Sequence, residues 1–248
     1  MNNLFSIEGK TAIILGASRG IGHAIAKGFA DSGANVYGIG RTDSNKVLYS
    51  ETINYSSNDV IDDIFLAKRF KEIYDETKDL TILVNAAGVT LPSNDSGKNI
   101  DLLNQTLETN LILSYSSCYE ALKYMKKSDY GSIINITSIG AHLGFPDNPA
   151  YLASKAAIRY MTKGLAIDFA KYNVRVNNIA PGYIQTDMTR GSYEDKKKYK
   201  ERLERMIIPR WGIPEDLVGA SIFLASRGSS YITAADIVID GGWTSKGL

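Results

Sequence analysis

Seven short apolar runs alternate with longer amphipathic stretches along this 248-residue chain. Runs that are apolar at nearly every position are typical of strands buried on both faces. Strand followed by helix, repeated in this way, predicts a parallel sheet covered by helices on both sides. Because no linker or internal repeat marks a second domain, we expect one doubly wound α/β domain spanning residues 1–248. The predicted strands are Thr11–Leu15, Asn35–Ile39, Glu51–Tyr55, Leu80–Asn85, Ser132–Thr137, Arg175–Ala180 and Asp236–Asp240, and the main predicted helices are Gly22–Asp31, Asp59–Lys78, Asp101–Lys127 and Ala150–Lys171.

Composition argues against several function classes. The net charge of +1 gives no global attraction to nucleic acid or to an anionic membrane, so we expect neither as a partner. Cys118 is the single cysteine, and His23 and His142 have no partner at metal-ligand spacing, which predicts no disulfide and no metal site. Residues 1–10 lack the charged and apolar regions of a signal peptide, and no apolar run is long enough to span a bilayer. We therefore expect a cytoplasmic protein.

A glycine-rich turn follows the first predicted strand. It reads Gly16-Ala17-Ser18-Arg19-Gly20-Ile21-Gly22, and a predicted helix begins there. Glycines let the backbone approach a pyrophosphate, and the helix N-terminus favours negative charge. The spacing G-x-x-x-G-x-G differs from the common G-x-G-x-x-G pattern, and an isolated turn of this kind is also compatible with a purely structural role. Its place after the first strand of an α/β chain favours a dinucleotide site.

The end of the second predicted strand bears on the choice of dinucleotide. A NAD site needs an acid there, about 20 residues past the glycines, to hold the ribose hydroxyls. The sequence instead reads Gly38-Ile39-Gly40-Arg41-Thr42, and Arg19 in the glycine turn can face the same point. Two cations suit a 2′-phosphate, so we expect NADP(H) to be preferred, although either arginine alone can be a solvated surface charge. Asp43 keeps NAD(H) possible.

The spacing Tyr-x-x-x-Lys occurs four times and so discriminates nothing by itself. The pairs are Tyr74/Lys78, Tyr119/Lys123, Tyr151/Lys155 and Tyr193/Lys197. Context favours Tyr151/Lys155, because Ser138 lies just past a predicted strand, at the edge where open α/β sheets bind ligands, and a short loop leads from there to Tyr151. A hydroxyl donor, a general acid/base and a cation then surround one point, and the cation favours the phenolate.

These motifs resemble the short-chain dehydrogenase/reductase family, in family order and over nearly the whole chain. The matching residues are Gly16-x-x-x-Gly20-x-Gly22, Asn85-Ala86-Ala87-Gly88, Asn110, Ser138, Tyr151, Lys155, Pro181-Gly182 and Asp240-Gly241-Gly242. The resemblance implies a Rossmann-type, seven-stranded doubly wound sheet. It also implies an NAD(P)-dependent oxidoreductase that interconverts a carbonyl and a secondary alcohol.

The resemblance also implies roles for individual residues. Tyr151 would transfer the proton, Ser138 would polarise the substrate oxygen, and Lys155 would lower the tyrosine pKa and hold the nicotinamide ribose. Asn110 would hold a water that joins Lys155 to a proton relay, and Asn85 and Gly88 would line the cofactor floor. The expected cofactor-binding residues are Gly16, Ser18, Arg19, Gly20, Ile21, Gly22, Arg41, Asn54, Asn85, Gly88, Tyr151, Lys155, Pro181, Gly182, Ile184 and Thr186, with Ile184 and Thr186 at the carboxamide.

The chain departs from the family pattern at two places. Ala86 stands where the family usually has a second asparagine, which removes one amide from the central sheet. The Asp-Val pair that binds adenine after the third strand has no clean equivalent. We expect Asn54-Tyr55 to take its place, because Ser56–Asp59 is typical of a turn and helix cap, with Asp59-Val60 as the alternative.

Two branches of the family fit as regards substrate: reductases of carrier-bound 3-oxoacyl chains, and dehydrogenases of sugars, sugar acids or polyols. Arg210-Trp211-Gly212 and the end Asp240–Trp243 resemble the gluconate and deoxygluconate dehydrogenases. Lys126-Lys127 followed by Ser128-Asp129 is only a diluted form of the basic patch that resembles the acyl-carrier reductases. We therefore favour a small polyhydroxylated substrate, although both tryptophans can equally pack the C-terminal segment. Its expected contacts are His142, Asn148, Tyr183 and Trp211.

Three further expectations concern a lid, assembly and competing functions. The mixed charges of Tyr193–Arg205 indicate a solvated helical face or part of a mobile substrate lid over residues 187–213. The two longest predicted helices are apolar on more than one face, which predicts that a partner chain covers one face, and the family resemblance implies a homotetramer. A non-catalytic dinucleotide sensor and a sugar-nucleotide epimerase or dehydratase are the alternatives. The filled catalytic positions favour turnover over sensing.

Overall fold

Seven parallel strands form one sheet in the order β3-β2-β1-β4-β5-β6-β7 in a computed structural model that describes residues 4–44, 47, 52–58, 62–91 and 99–246. The chain builds outward from β1 to β3, then crosses back to β4 and continues to β7. The direction of winding therefore reverses between β1 and β4, where ligands bind in open α/β sheets. The strands are β1 (Thr11–Leu15), β2 (Asn35–Gly40), β3 (Ile53–Ser57), β4 (Ile82–Asn85), β5 (Gly131–Ile136), β6 (Val174–Pro181) and β7 (Asp236–Ile239).

The doubly wound sheet and all seven predicted strands are confirmed, with ends that shift by one or two residues. The third strand begins at Ile53, and Glu51 lies outside the described residues. The stretch predicted as one helix over Asp101–Lys127 is divided by a π-helical turn at Glu108–Ile112. The helices are α1 (Gly20–Asp31), α2 (Asp63–Thr77), α3 (Ile100–Leu107), α4 (Leu113–Met125), α5 (Pro149–Phe169), α6 (Arg190–Tyr193), α7 (Lys196–Leu203) and α8 (Val218–Ala225).

Each face of the sheet has its own apolar core, because successive strand residues point to opposite sides. Ile13 and Leu15 of β1 belong to the core beneath α2, α4 and α5. Their neighbours Ala12 and Ile14 belong to the core beneath α1 and α8. Strands β1, β4, β5 and β6 are consequently buried at every residue, as parallel strands covered on both faces should be.

A buried chain of side-chain hydrogen bonds crosses the sheet on the α4 and α5 side. Asn85, Asn135, Asn178 and Asp236 occupy matching positions on β4 to β7. Asn85 Nδ2 donates to Asn135 Oδ1 over 2.8 Å, and Asn178 Nδ2 donates to Asp236 Oδ1 over 2.6 Å. Thr162 of α5 joins the two pairs, since its hydroxyl accepts from Asn135 at 2.8 Å and donates to Asn178 at 2.7 Å. This amide ladder fixes the position of α5 along the sheet, because buried amides need their partners.

None of the helices in the described part of the chain is long and apolar enough to cross a membrane.

Candidate active site

One groove runs along the carboxyl edge of the sheet, over the point where the winding reverses. Its wider part is a cleft of about 500 Å³ between the glycine-rich turn, the end of β2 and residues 86–91. Its narrower part is a pocket of about 100 Å³ that reaches Ser138, Tyr151 and Lys155. The two parts share Ile21, Ala86, Gly88, Thr186 and Met188 among their lining residues. A long ligand can therefore occupy both parts.

Backbone contacts that exclude side chains hold the glycine-rich turn in place. A Cβ on Gly16, whose φ is +80°, would lie 2.5 Å from the amide nitrogen of Ala87. A Cβ on Gly22 would lie 2.3 Å from the carbonyl oxygen of Gly16. Arg19 precedes α1 in extended conformation without a side-chain cap, so the first amides of this helix stay available to an anion. The turn therefore fits the pyrophosphate of a dinucleotide.

The end of β2 has no room for the acid that a NAD site requires. A Cβ on Gly40 would lie 2.8 Å from the Tyr55 hydroxyl and 3.3 Å from Ser18 Oγ. The Tyr55 hydroxyl is held there by donating to the carbonyl of Thr42 over 3.0 Å. Arg19 and Arg41 are exposed at the same end of the cleft, and neither forms an ion pair with any residue that the structure describes. This end fits a ribose that carries a phosphate.

The pocket brings together the three predicted catalytic side chains of the second half of the chain. Ser138 follows β5 and opens a 3₁₀ turn, where its Oγ accepts from the Gly140 amide over 3.0 Å. Tyr151 and Lys155 lie in the first two turns of α5. Lys155 is buried, and its Nζ donates to the carbonyl oxygen of Ile136 over 2.8 Å. Tyr151/Lys155 is the Tyr-x-x-x-Lys pair that lines this pocket.

Burial is the main influence on both titratable groups of the pocket. It lowers the pKa of Lys155 to about 8. It also raises the pKa of Tyr151, and the hydrogen bond with Ser138 partly offsets this by lowering it. The prediction that Lys155 lowers the pKa of Tyr151 stays a prediction. The Lys155 ammonium turns toward Ile136 and lies 5.8 Å from the centre of the tyrosine ring.

Asn110 lies in the π-helical turn, a feature that often marks functional sites. Its Oδ1 accepts from the Val89 amide over 2.8 Å, and its Nδ2 donates to the Val89 carbonyl at 3.0 Å and to Ser154 Oγ at 2.9 Å. Its own carbonyl oxygen accepts from Ser114 Oγ over 2.7 Å. The side chain thus fastens the loop after β4 to α5, between Tyr151 and Lys155. Its role toward a water stays a prediction.

Two predicted cofactor contacts lie elsewhere. The Asn85 side chain belongs to the amide ladder and accepts from Ser117 Oγ over 2.8 Å, so the prediction that it lines the cofactor floor is wrong. Asn54 is the second residue of β3, at the end away from the cleft, and it accepts from Arg69 over 3.2 Å. It is therefore wrongly predicted as the adenine contact. The alternative, Asp59-Val60, lies outside the described residues.

The remaining predicted cofactor residues line the groove. Pro181, Gly182 and Ile184 border the pocket, and a Cβ on Gly182 would lie 2.6 Å from that of Asp240. The sequence reasoning missed several residues. Tyr55 was considered only as the neighbour of Asn54. The partner of Lys155 is the backbone carbonyl of Ile136, and a backbone contact cannot be predicted from the type of residue. Other lining residues that were not predicted as site residues are Gly40, Thr42, Ala86, Ala87, Val89, Thr90, Leu91, Thr109, Thr137, Asp187, Met188 and Thr189.

The predicted substrate contacts divide into different environments. Tyr183 contacts the rings of Phe145 and Trp243, at centroid distances of 6.3 and 5.5 Å. Trp211 is only 1% exposed, so its predicted contact with substrate is wrong and it instead packs beneath Tyr183. His142 is exposed on its loop. Asn148 accepts a hydrogen bond from Thr90 Oγ1 over 2.9 Å.

Other reactive groups of the described residues are inert or dispersed. Burial raises the pKa of the Cys118 thiol to about 12, which removes its thiolate and its nucleophilicity at neutral pH. No cluster of three or more His, Cys, Asp or Glu side chains in the described ranges has a geometry that would hold a metal ion.

Comparison with known proteins identifies the family. A family model described as Enoyl-(Acyl carrier protein) reductase matches residues 16–244. The chain is also 34% identical over 257 residues to the 2-dehydro-3-deoxy-D-gluconate 5-dehydrogenase of Bacillus subtilis, covering 99% of both chains. The chain belongs to the short-chain dehydrogenase/reductase family. Like the family, it is an NAD(P)-dependent oxidoreductase that acts on CH–OH groups.

Two further relatives represent the branches that the sequence left open. The 3-oxoacyl-[acyl-carrier-protein] reductase of Chlamydia pneumoniae is 37% identical over 246 residues, which cover 96% of this chain and 98% of the relative. The crystal structure of a gluconate 5-dehydrogenase from Burkholderia cenocepacia, in complex with NADP and tartrate, is 29% identical. It superimposes with a TM-score of 0.91 over 98% of each chain.

Proposed function

We propose that this protein is an NADP(H)-dependent dehydrogenase of a sugar acid, with Tyr151 as general acid/base. One observation carries the proposal. Ser138, Tyr151 and buried Lys155 share a pocket that continues into a cleft fitted for a phosphorylated dinucleotide. When bound, the nicotinamide supplies or accepts the hydride. The side chains of this chain then have to position the substrate and move one proton.

Each catalytic side chain has a separate task. The Tyr151 hydroxyl takes the proton from the alcohol in oxidation and returns it to the carbonyl oxygen in reduction. The Ser138 hydroxyl donates to the same substrate oxygen and holds it at the tyrosine. Lys155 supplies a cation and donors for the nicotinamide ribose. Asn110 holds the loop after β4 in position and offers its carbonyl oxygen to a relay water.

Preference for NADP(H) is supported by the end of β2. Arg19 and Arg41 would bind the 2′-phosphate, and Gly40 leaves no space for a competing acid. NADP is also the dinucleotide bound in the Burkholderia cenocepacia relative. The residues that would hold the cofactor are Gly16, Ser18, Arg19, Gly20, Ile21, Gly22, Arg41, Gly88, Tyr151, Lys155, Pro181, Gly182, Ile184 and Thr186.

A sugar acid is favoured as substrate by the ring surfaces beside the pocket. Phe145, Tyr183 and Trp243 present aromatic faces, which suit the C–H surfaces of a polyhydroxylated chain. Reduction of a 3-oxoacyl thioester is the second candidate, because the Chlamydia pneumoniae reductase is as similar to this chain as the sugar-acid enzymes are.

We also propose that residues 187–213 form a lid over the substrate end. This segment contains α6 and α7, and α7 has no buried residue. Within the segment, the Tyr199 ring stacks on Trp211 at a centroid distance of 5.8 Å, and Trp211 contacts Tyr183 of the body at 5.3 Å. A closed lid would exclude water from the proton transfer.

Assembly into a homotetramer is supported by apolar side chains on the outer faces of the long helices. Tyr115 on α4 and Tyr160 and Ile167 on α5 are half or more exposed. Such a surface is usually covered by another chain. Light scattering at micromolar concentration should give four times the 27.2 kDa chain mass, and a monomer would refute this state. We expect this assembly in the cytoplasm.

A paired turnover assay tests the proposed substrate class. NADP+ reduction is measured with a panel of sugar acids and polyols, and NADPH oxidation is measured with an acetoacetyl thioester. We expect the highest kcat/KM with a sugar acid. Efficient thioester reduction without activity on any sugar acid or polyol would establish the second candidate instead.

A further inference from the structure

An aromatic wall that carries an arginine adjoins the turn after Ser138, a residue that lines the pocket. Phe145 packs against the turn after Ser138, since a Cβ built on Gly140 would lie 3.1 Å from Phe145 Cε2 and 3.3 Å from Ser138 Oγ. The rings of Tyr183 and Trp243 continue this wall, 6.3 and 6.4 Å from Phe145. Contacts therefore lead from the catalytic serine to Tyr183.

The guanidinium of Arg202, on α7, covers the far part of this wall. Its central carbon lies 4.9 Å from the centre of the Tyr183 ring. An arginine stacked on a ring keeps the N–H groups along its edge free to donate. Arg205, one turn further, covers the Trp243 ring at 5.7 Å and is more exposed.

Arg202 has unused hydrogen-bonding capacity. One Nη1 contact of 3.4 Å reaches the carbonyl of Lys198 in the preceding turn. Its Nε is buried without a partner, as is Nε1 of Trp243. Two unpaired donors on one wall call for a ligand that brings acceptors, because a buried unpaired donor is costly.

Four neighbouring basic residues differ, because they have carboxylate partners. Arg190 pairs with Asp187 and Glu194, while Lys200 pairs with Glu204. Lys198 and Arg210 pair with Asp195 and Asp216 in the same way. For Arg202 and Arg205, by contrast, the described part of the chain supplies no carboxylate within ion-pair distance. Arg202 and Arg205 share this lack of an ion pair with Lys196 and Lys197 at the start of α7, but they are the two whose guanidinium groups lie over rings of the aromatic wall.

We propose that Arg202 is the carboxylate anchor of the substrate pocket, with Arg205 as a weaker second cation. The substrate would then lie along the aromatic wall, with its acid group on Arg202 and its reacting carbon at Ser138 and Tyr151. This inference rests on the proposed sugar-acid function and names the residue that selects an acid over a neutral polyol.

The two tryptophans of the chain give a direct readout, because Trp211 and Trp243 both belong to this aromatic cluster. The protein saturated with NADP+ is titrated with D-gluconate, with tartrate and with the uncharged D-glucitol, and tryptophan fluorescence reports binding without turnover. The titration is repeated for Arg202→Gln, for Arg202→Lys and for Lys200→Gln. The last variant removes one charge from the same helix, away from the wall.

We expect Arg202→Gln to weaken gluconate binding about 10- to 100-fold, the loss that corresponds to a charge-assisted hydrogen bond. Glucitol binding should change less than about twofold, because it carries no acid group. Arg202→Lys should be intermediate, since it keeps the charge without the planar fork. Lys200→Gln should bind all three probes as the unchanged protein does.

Equal weakening of gluconate and glucitol by Arg202→Gln, or an unchanged preference for gluconate, would overturn the anchor while leaving the proposed function intact. Binding of tartrate or gluconate that depends on Arg202, in a protein that turns over only the thioester, would support the anchor and refute the proposed function. If the unchanged protein binds neither acid, both are refuted.

Discussion

The cofactor end and the substrate end of the groove are built in different ways. At the cofactor end, neighbouring backbone segments meet so closely that only glycine fits, as at Gly16 and Gly22. At the substrate end, the walls are side chains that come from separate parts of the chain, such as Phe145, Tyr183 and Trp243. The backbone contacts at the cofactor end restrict the ligand there to one kind, a dinucleotide. The side-chain walls at the substrate end can be altered by substitution, so the substrate can differ between related proteins.

Removal of the Tyr151 hydroxyl should have the largest effect, because the two ends meet at this residue. Tyr151→Phe should reduce turnover by at least the factor of about 10²–10⁴ that general acid–base catalysis provides. Dinucleotide affinity, measured by fluorescence titration, should be retained. Tyr119→Phe is the matched control, since Tyr119 lies on α4 outside the groove. Turnover of Tyr151→Phe within about tenfold of wild type would contradict the assignment.

Reversal of charge at Arg41 tests whether the cofactor end alone sets dinucleotide preference. Arg41→Asp should shift the NADP(H)/NAD(H) ratio of kcat/KM by about 100-fold toward NAD(H), which corresponds to roughly 3 kcal/mol. KM for the sugar acid should change little, because the substrate end is separate. Arg227→Asp, at an exposed position outside the groove, is the control. A wild-type enzyme that uses NADH as well as NADPH would show that the arginines have another role.

Burial of Lys155 makes the free energy of unfolding depend on pH. Its pKa is about 8 in the folded protein and 10.5 for an unperturbed lysine. Between these values the unfolded chain holds a proton that the folded protein has lost, so the free energy of unfolding rises with pH. The rise due to this group approaches roughly 3 kcal/mol by the upper end of the interval.

Urea unfolding of the wild type and of Lys155→Met at pH 7 and pH 10 isolates this contribution. The variant should gain less stability between the two pH values than the wild type does. If wild type and Lys155→Met gained equal stability between pH 7 and pH 10, Lys155 would be hydrated rather than buried in the groove.

A change in the amide ladder should affect folding stability but not ligand binding. Of the predicted effects, we expect this one to be the smallest. Thr162→Val removes the hydroxyl that joins Asn135 to Asn178 and should lower the free energy of unfolding by about 1–3 kcal/mol. Dinucleotide affinity should stay within about twofold, because the ladder does not line the groove. Thr162→Ser, which retains the hydroxyl, should recover most of the loss in the same urea unfolding measurement. A Thr162→Val protein as stable as wild type would show that the ladder carries little energy.

Much of the cofactor end could be predicted from the sequence, because backbone constraint leaves glycines at fixed spacing. Gly16, Gly20 and Gly22 were predicted in this way, and the structure places all three in the cleft. Asn85 and Asn54 were assigned wrongly for different reasons. Asn85 does end β4, but its side chain lies on the face of the sheet that carries the amide ladder, which depends on register. Asn54 was predicted at the end of the third strand, but β3 extends to Ser57 and leaves Asn54 at the far end.

The substrate end was less predictable, because its residues meet only through tertiary packing. Trp211 was expected in the pocket, yet it is buried beneath Tyr183 and Tyr199. The sequence did not distinguish Arg202 within Tyr193–Arg205, because ten of these thirteen residues are charged. Its position over Tyr183 depends on how α7 packs, which the charge pattern of a helix does not specify.

Formation of reduced dinucleotide is the decisive measurement for sugar-acid oxidation by this protein. NADP+ is mixed with the protein and a sugar-acid panel, and the near-ultraviolet absorbance of NADPH is followed while dinucleotide binding is titrated in parallel. We expect tight dinucleotide binding together with repeated turnover of at least one sugar acid, and no turnover in Tyr151→Phe. Tight dinucleotide binding without turnover of any sugar acid, polyol or carbonyl compound would contradict this expectation and identify a sensor instead.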